Sequence, residues 1–335
     1  MQEIFDQYQW EVTQCTPLHQ GLINKTYVVE TAHGNYILQT INHAIFKDPS
    51  AIDQNINTIG AYLKLNSPDY LYTHLVPNKN GNTLIEWEGS YFRAFHKING
   101  YALSVLENAN QVEEAAQQFG GFTHQLRNFK ADELKNTLID FHNLSLRFQQ
   151  FNTTLLQGNP QRIASSKEAI SFLLNKQSIT DKYEHFIQHP DVQKRVTHHD
   201  TKISNVLFND HGKAICVIDL DTTMAGYFIS DVGDMCRTCL CTVSEEEQDL
   251  NKIEVKADRW EGLQKGYLQP MQYELSAFEK DHFFYSGQFM IYMQALRFLT
   301  DHLQNDIYYG AGYENHNYNR ALNQIRLLEV YEKLI

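Results

Sequence analysis

Five polar residues in a short stretch of the chain have the types and spacing of a phosphoryl-transfer site. His198 begins the pattern His-x-Asp-x-Lys-x-x-Asn, which ends at Asn205, and Asp219 closes the next apolar run. In phosphoryl transfer one carboxylate orients the attacking hydroxyl, while an amide and a second carboxylate hold Mg²⁺ against nucleotide phosphates. Asp200 is therefore predicted as the general base, and Lys202 as a positive charge at the transferring phosphoryl group. Asn205 and Asp219 offer the oxygen atoms that Mg²⁺ prefers.

A predicted hairpin brings these groups together. The segment 206–218 consists of two short apolar runs of β type around a turn-forming cluster. Because residues pair outward symmetrically from the turn of an antiparallel hairpin, Asn205 is expected opposite Asp219 to within a residue or two. The loop with Asp200 then lies at the same end. The alternative is a surface hairpin with a polar mouth, but the apolar strands give little reason for so many charges there.

The rest of the chain divides into a β-rich part and a helical part. Hairpin patterns occur at 26–41 and 83–95, and Pro49 begins an apolar stripe with helical spacing, so the first ~95 residues are predicted as mostly β with one helix. From about residue 100 helical patterns dominate, with apolar faces at 112–126 and 289–303. We therefore predict an α+β fold with a small β-rich lobe and a larger, mostly helical lobe.

The catalytic pattern and several distant stretches resemble the aminoglycoside phosphotransferase and choline kinase superfamily. The string from His198 to Asp234 contains Val-Ile-Asp-Leu-Asp-Thr and Asp-Val-Gly-Asp, and is most similar to the N-acetylhexosamine 1-kinases. The stretches 21–27, 36–43, 46–49, 141–143 and 297–301 resemble the same branch. The similarity therefore extends over most of the chain.

The resemblance implies a protein-kinase-like fold with a nucleotide-binding lobe at 1–97, a catalytic and substrate-binding lobe at 98–335, and the active site between them. It implies an ATP- and Mg²⁺-dependent kinase that phosphorylates a sugar hydroxyl, most specifically the anomeric hydroxyl of N-acetylglucosamine or N-acetylgalactosamine. Other acceptors of the superfamily stay open: choline, homoserine or an aminoglycoside. A non-catalytic nucleotide- or sugar-binding protein also stays open as an alternative. From the residues alone, a two-metal phosphoesterase is a further alternative.

The resemblance also indicates nucleotide-binding residues in the first lobe. The loop from Gly21 to Thr26 has the position of a phosphate-covering loop, in which Asn24 and Thr26 offer an amide and a hydroxyl. Ordinary turn residues explain these two side chains almost as well. Gln39 stands where kinases of this fold place a phosphate-binding lysine on the third strand. It can donate a hydrogen bond to phosphate but brings no charge, which leaves neutralisation to Mg²⁺ and Lys202.

Arg297 and Tyr308 align with acceptor-binding positions of the hexosamine kinases. Arginine offers a rigid fork of donors for hydroxyls and an acetyl oxygen, and tyrosine adds a stacking face. The alternative for Arg297 is an ion pair with Asp301, four residues further along the same helix. Asp221 is expected to bind a second metal ion or to orient the first, with a lower rank than Asp219.

Several neighbouring residues are expected to support the catalytic loop. The resemblance gives His198 a bracing role through hydrogen bonds, whereas His199 receives no role. Asp231 and Asp234 are expected either to cap the following helix or to tether the loop.

The composition narrows the function classes further. Hydrophobic residues make up 42% of the chain, which favours a well-filled core, and 28 basic against 40 acidic residues disfavour binding to nucleic acid or anionic membranes.

The N-terminus lacks the pattern of a secretory signal, and five cysteines suggest reduced thiols, so a cytoplasmic protein is predicted. Cys236-x-x-Cys239-x-Cys241 is interpreted as core cysteines, since no matching second ligand pair follows. The oligomeric state stays open.

Overall fold

A five-stranded antiparallel sheet forms the N-terminal part of the molecule, whose computed structural model describes residues 1–18 and 23–334. The strands follow the order β1-β2-β3-β5-β4 across the sheet. They are β1 (Val12–Leu18), β2 (Lys25–Thr31), β3 (Gly34–Ile41), β4 (Leu84–Trp87) and β5 (Ser90–His96). The register pairs Gln39 of β3 with Thr26 of β2 on one side and with Arg93 of β5 on the other.

The two predicted hairpins of this sheet are confirmed, and their turns explain why they form. Between β4 and β5 the chain turns at Glu88 and Gly89, both with positive φ (48° and 72°). A two-residue hairpin turn needs this backbone, and glycine adopts it without steric cost. The β2–β3 hairpin pairs Thr31 with Gly34 at its closed end.

Two helices accompany the sheet. Helix α2 (Pro49–Asn66) confirms the predicted helix, with Pro49 in its first turn and Asp48 Oδ1 accepting the N–H of Ala51 over 3.1 Å as N-cap. The prediction of a single helix in this part of the chain was wrong, because α1 (Gln2–Tyr8) precedes the sheet. With seven residues, α1 is too short to display a repeating apolar stripe.

Helices make up most of the remaining chain. They are α3 (Ala109–Gln125), α4 (Leu144–Gln157), α5 (Pro160–Ser165), α6 (Lys167–Asn175), α7 (Ser178–Gln188), α8 (Phe228–Cys239), α9 (Ala257–Met271), α10 (Ala277–Asp281), α11 (Phe283–Leu303) and α12 (His316–Tyr331). The central helix α11 packs against α4, α8 and α12, while α3 packs against α9. Their apolar faces share one large hydrophobic core. The predicted β-rich part and helical part are both found, and the proposed lobe boundary at residue 97 stays a prediction.

Short strands in the helical part position the catalytic segments. β6 (Tyr101–Ala102), β8 (Val206–Phe208) and β9 (Ala214–Val217) form one small sheet, and β7 (Arg195–Thr197) pairs with β10 (Met224–Gly226). Residues 198–205 therefore connect β7 to β8, and residues 218–223 connect β9 to β10. Both connections begin and end on paired strands, so their ends are fixed. The β8–β9 hairpin confirms the one predicted at 206–218.

Among the described residues no helix is both long enough and apolar enough to cross a lipid bilayer. The five cysteines form no disulfide, and Cys236, Cys239 and Cys241 are buried, as expected for core cysteines.

Candidate active site

A cavity of about 380 Å³ lies between the five-stranded sheet and the β8–β9 hairpin. Thr26 and Gln39 line it from the sheet, and Lys202, Asn205 and Asp219 line it from the helical part. The main-chain N–H of the residue before Asp219 donates to Asn205 O over 2.9 Å, so the predicted pairing is correct to within one residue. The structure thus brings predicted nucleotide, metal and catalytic residues to one cavity.

Asp200 is hydrogen-bonded to two of the residues that line this cavity, Lys202 and Asn205. Lys202 Nζ donates to Asp200 Oδ2 over 2.8 Å, and Asn205 Nδ2 donates to the Oδ2 and main-chain O of Asp200 over 3.0 and 2.8 Å. Burial by itself raises the pKa of Asp200, but the charge and hydrogen bond of Lys202, helped by His198 and Asn205, outweigh it and hold that pKa below its usual range. Asp200 is therefore ionised at neutral pH and can accept a hydrogen bond from a hydroxyl group.

Hydrogen bonds brace the loop that carries Asp200. The His198 ring accepts the N–H of Asp200 at Nδ1 over 3.2 Å, and its Nε2 lies 2.9 Å from Ile218 O. The carboxylate of Asp231 accepts the N–H groups of His198 and His199 over 3.0 and 2.7 Å. Asp231 was expected either to cap α8 or to tether the loop. The structure shows that it tethers the loop, and no side chain caps the N-terminus of α8.

His199 is a supporting residue that the sequence interpretation missed. Its backbone is left-handed (φ 67°), and its Nδ1 lies 3.0 and 3.1 Å from the carbonyl oxygens of Thr197 and Thr222. Burial lowers the pKa of His199 to about 4, so the ring is neutral. The ring also lies against Gly226, where an added Cβ would collide with it. No local pattern indicates this role, because its partners come from β7, β10 and the segment before β10.

Asp234 tethers the loop from the other side and begins a chain of charges. Asp234 Oδ2 accepts the N–H of Thr201 over 2.8 Å, and Oδ1 accepts two hydrogen bonds from Arg237 over 3.1 and 2.9 Å. Arg237 also donates to Glu245 over 2.6 Å, and Glu245 pairs with Arg320. The acids in this chain are thus neutralised by arginines.

Asp219 has the environment of a cation ligand. Its backbone is left-handed (φ 61°), and burial together with the carboxylates of Asp221 and Asp200 raises its pKa to about 7. Asp200 is paired with Lys202, and Asp221 with an arginine of the sheet. Among residues 1–18 and 23–334, Asp219 is the one carboxylate of these three without a salt bridge.

Asn205 complements Asp219 as a possible metal ligand. Its Nδ2 is engaged by Asp200, which leaves Oδ1 as the atom that can bind a cation. An amide oxygen and a carboxylate fit Mg²⁺, which usually keeps water and phosphate oxygens as its other ligands. No group of three or more His, Cys, Asp or Glu side chains able to hold a metal ion occurs in the described part of the chain. Asn205 and Asp219 alone would leave most of the octahedral positions of an Mg²⁺ ion to water and phosphate oxygens.

The predicted nucleotide residues are only partly brought together. Thr26 and Gln39 share a hydrogen bond of 3.2 Å in the cavity wall. Asn24 instead donates to Asp221 Oδ2 over 2.7 Å and accepts the N–H of Asn42 over 3.0 Å, so both ends of its amide group are occupied by protein. The beginning of the predicted phosphate-covering loop, with Gly21, lies outside the described residues.

Arg297 and Tyr308 lie together, but in a second cavity of about 250 Å³ that has no lining residue in common with the first. Arg297 Nη2 donates to the Tyr308 hydroxyl over 3.4 Å. Its guanidinium also lies 5.6 Å from the ring centre of Phe141 and 5.4 Å from that of Tyr309. Arg147 lines the same cavity.

The alternative ion pair between Arg297 and Asp301 does not form. The Asp301 carboxylate accepts the N–H groups of Tyr308 and Tyr309 over 2.7 and 3.0 Å, and Asn317 Nδ2 over 3.0 Å. Asp301 therefore fixes the loop after α11 and leaves Arg297 to face the cavity.

Comparisons with known proteins agree with this architecture. Residues 14–265 match APH, a phosphotransferase enzyme family. The chain is similar to the spectinomycin phosphotransferase APH(9)-Ia in complex with ADP and spectinomycin, at 10% identity and a TM-score of 0.64 over 99% of this chain and 97% of that chain. It is also similar to a microcompartment-associated aminopropanol kinase, at 16% identity and a TM-score of 0.67 over 99% and 95% of the two chains.

A third similar structure is an aminoglycoside phosphotransferase from Alicyclobacillus acidocaldarius subsp. acidocaldarius DSM 446, with 11% identity and a TM-score of 0.64 over 100% of this chain and 95% of that one. At these identities the structural likeness shows the fold, which confirms the predicted kinase-like α+β architecture. The family match covers most of the sequence. The chain therefore belongs to the APH phosphotransferase enzyme family.

Proposed function

We propose that this protein is an ATP- and Mg²⁺-dependent kinase that phosphorylates the anomeric hydroxyl of N-acetylglucosamine or N-acetylgalactosamine. The observation that carries the kinase assignment is the carboxylate of Asp200, which is hydrogen-bonded to Lys202 and Asn205 where these two residues and Asp219 line one cavity. The choice of a sugar acceptor has separate support, from the sequence resemblance and from the charge of the second cavity.

The chain's own groups suit in-line phosphoryl transfer. The acceptor hydroxyl would donate a hydrogen bond to Asp200, and its oxygen would form a bond to the γ-phosphorus while the bond to the bridging oxygen of ADP breaks. The proton then passes to Asp200, because the hydroxyl becomes more acidic as its oxygen bonds to phosphorus. Lys202 lies 2.8 Å from Asp200, where its charge can stabilise the transferring group. Mg²⁺, held by Asn205 Oδ1 and Asp219, would neutralise phosphate charge.

The charge near Arg297 favours a neutral acceptor over a cationic one. Among the described residues neither Arg147 nor Arg297 is paired with a carboxylate; their partners are carbonyl, amide and hydroxyl oxygens. The carboxylate of Asp301, in the same cavity wall, is occupied by backbone N–H groups. Two unpaired guanidinium groups repel choline or an aminoglycoside, whereas they offer donors to hydroxyl and acetyl oxygens.

A row of rings connects this cavity to the catalytic loop. The ring of Phe141 stacks on that of His142 at 4.3 Å, and His142 lies 5.3 Å from the ring of His199, next to Asp200 in the chain. Burial keeps the pKa of His142 well below its usual value, so the row adds no positive charge. An acceptor bound against this row would extend from Arg297 toward Asp200.

The solved structures of similar fold support the coarser part of the proposal. Two of them are a spectinomycin phosphotransferase, in complex with ADP and spectinomycin, and an aminopropanol kinase, and both acceptors are small-molecule alcohols.

The test is a coupled ADP-release assay with N-acetylglucosamine, N-acetylgalactosamine, choline, homoserine and an aminoglycoside, followed by phosphorus NMR of the product. We expect turnover with an N-acetylhexosamine and a sugar 1-phosphate signal, both abolished in Asp200→Asn. Turnover confined to choline, homoserine or an aminoglycoside would remove the sugar assignment and keep the kinase assignment. Nucleotide or sugar binding without turnover, unchanged in Asp200→Asn, would indicate a non-catalytic binding protein instead.

A further inference from the structure

A buried arginine lies behind the nucleotide side of the cavity. Arg93 of β5 is directly opposite Gln39 of β3, and it is 1% exposed. Its Nε and Nη2 donate to Gln39 Oε1 over 3.0 and 2.8 Å, and its guanidinium lies 5.1 Å from the ring centre of Phe95. Because two donors share one oxygen, the Gln39 carboxamide has a single orientation, with its NH₂ group turned away from the arginine.

That orientation presents an N–H donor to the cavity. Gln39 Nε2 donates to Thr26 Oγ1 over 3.2 Å, and both side chains line the cavity wall. An amide nitrogen has two hydrogens, so one remains for a ligand. Phosphate oxygens are acceptors and bind such a donor. Arg93, on the neighbouring strand, thus orients the neutral amide of Gln39, which stands where kinases of this fold place a lysine.

The same arginine joins the sheet to the segment that carries Asp219. Arg93 forms an ion pair with Asp221, and both side chains are almost fully buried. The second oxygen of Asp221 accepts from Asn24 Nδ2, whose own oxygen accepts the N–H of Asn42. A buried carboxylate held by a guanidinium and an amide is expensive to displace, because either partner would be left uncompensated. Asp219, two residues earlier, is thereby anchored against the sheet.

The geometry of Arg93 excludes a direct contact with a ligand. Arg93 is absent from the lining of the cavity, whereas Gln39 and Asp219 are part of it. Arg93 Nη1 is buried and has no hydrogen-bond partner in the described ranges, and the other two nitrogens of the guanidinium contact Asp221 and Gln39. Any effect of Arg93 on a bound nucleotide therefore passes through these two residues.

We propose that Arg93 is a positioning residue of the nucleotide site, which aims the Gln39 amide at the phosphate oxygens of a nucleoside di- or triphosphate and, through Asp221, fixes the carboxylate of Asp219. This inference depends on the nucleotide-dependent activity proposed above. One buried arginine would thus position both a phosphate-binding amide, Gln39, and a metal-binding carboxylate, Asp219.

The test is calorimetric binding of MgADP to the full-length wild type, Arg93→Lys, Gln39→Leu and the double variant. Lysine keeps a charge for Asp221 but cannot supply the two-donor fork that orients Gln39. Each single variant should weaken MgADP binding about tenfold, as expected for one hydrogen bond to a charged group. The double variant should bind about as weakly as Arg93→Lys, because both changes remove the same donor. The KM for the acceptor should not change.

Arg259→Lys is the matched control. Arg259 is also buried, and it donates to three backbone carbonyls, of Leu106, Cys239 and Cys241, away from the cavity. The Arg259→Lys variant should have a lower unfolding midpoint than the wild type and the same affinity for MgADP. If Arg93→Lys does not fold, Gln39→Glu takes its place. That substitution puts an oxygen where the donor is needed, and should bind MgADP more weakly than Gln39→Leu.

The outcomes separate this inference from the proposed function. A folded Arg93→Lys that binds MgADP like the wild type would overturn it, and so would losses that multiply in the double variant. Failure of the wild type to bind MgADP would instead overturn the proposed kinase, and the inference with it.

Discussion

The loop 198–205, which carries Asp200, and the second cavity, which is lined by Arg147, Arg297 and Tyr308 and is called the acceptor cavity below, differ in how firmly their residues are held. In the loop 198–205, His198 and Thr201 are completely buried, and the two acids of α8 accept three of the loop's N–H groups. In the acceptor cavity, by contrast, Tyr308 is 71% exposed and Arg297 has no acidic partner among the described residues. The loop proposed to perform the chemistry is thus fixed by tertiary contacts, whereas the cavity proposed to select the acceptor is held at Asp301 and open at Tyr308.

The largest effect expected from this contrast is the loss of the catalytic carboxylate. Asp200→Asn keeps the size of the side chain but removes the proton acceptor, so kcat should fall by about 10²–10⁴-fold. MgADP affinity should be retained, because Asp219 and Asn205 are untouched. The measurements are steady-state turnover and calorimetry on the same preparation. Residual turnover near the wild-type rate would mean that the loop is rigid for a reason other than catalysis.

The firmness of the loop can be tested at Gly226. In Gly226→Ala the new methyl group would collide with the His199 ring, which must then leave its place under the loop. We expect a loss of about 1–3 kcal/mol in unfolding free energy, as for other overpacked sites, and a reduced kcat.

The control for this substitution is Gly121→Ala in α3, where no atom lies within 4 Å of the added Cβ. It should be neutral or stabilising by about 0.5–1 kcal/mol, because alanine favours the helix. Denaturant unfolding of both variants gives the comparison. Equal unfolding free energies would contradict the role assigned to His199.

The open side is tested at Arg297. Arg297→Gln removes the guanidinium that faces the acceptor cavity, and the KM for the acceptor should rise about tenfold. The KM for the nucleotide should stay the same, because the two cavities have no lining residue in common. Arg326→Gln, which removes an exposed pair with Glu329 on α12, is the matched control and should change neither constant. Parallel changes in both KM values would show that the two regions are not independent.

The smallest expected effect is on the pH dependence of stability. Since the pKa of Asp219 is raised to about 7, the folded protein keeps a proton there that the unfolded chain releases near pH 4. The contribution of Asp219 to stability therefore falls as the pH rises from about 4 to about 7, and is lowest above that range. Asp219→Asn removes this loss and should raise the unfolding midpoint of the ligand-free protein by a few degrees at pH 8. The gain should shrink as the pH is lowered toward about 4, and a gain that does not change with pH would contradict the assignment.

Local patterns predicted the elements that carry the site, because apolar periodicity and turn residues act over a few positions. The hairpins β2–β3, β4–β5 and β8–β9 and the helices α2, α3 and α11 were predicted in this way. The same signal could not choose between capping and tethering for Asp231, since the choice depends on where the loop of His198 lies in space.

The sequence did not indicate which residues of distant segments contact each other. Arg93 stands in an apolar strand, and an inward-facing arginine there indicates a buried partner, but nothing in the chain identifies Asp221 or Gln39 as that partner. The spacing of Arg297 and Asp301 even favoured an ion pair that the structure does not form, because Asp301 binds the following loop instead. Residues whose partners are close in sequence were predictable, and those whose partners meet only in the folded chain were not.

The clamp formed by Asp301 and Asn317 has a consequence for how substrate preference changes over time. Both side chains are buried, and they hold the main chain of the intervening loop at Tyr308, Tyr309 and Gly310, while Asn317 also donates to the side chain of Asp306. Replacing outward-facing residues between them would leave that grip intact. Natural drift or laboratory selection can therefore change the side chains at the outer rim of the acceptor cavity. The fold and the residues proposed for phosphoryl transfer would stay the same.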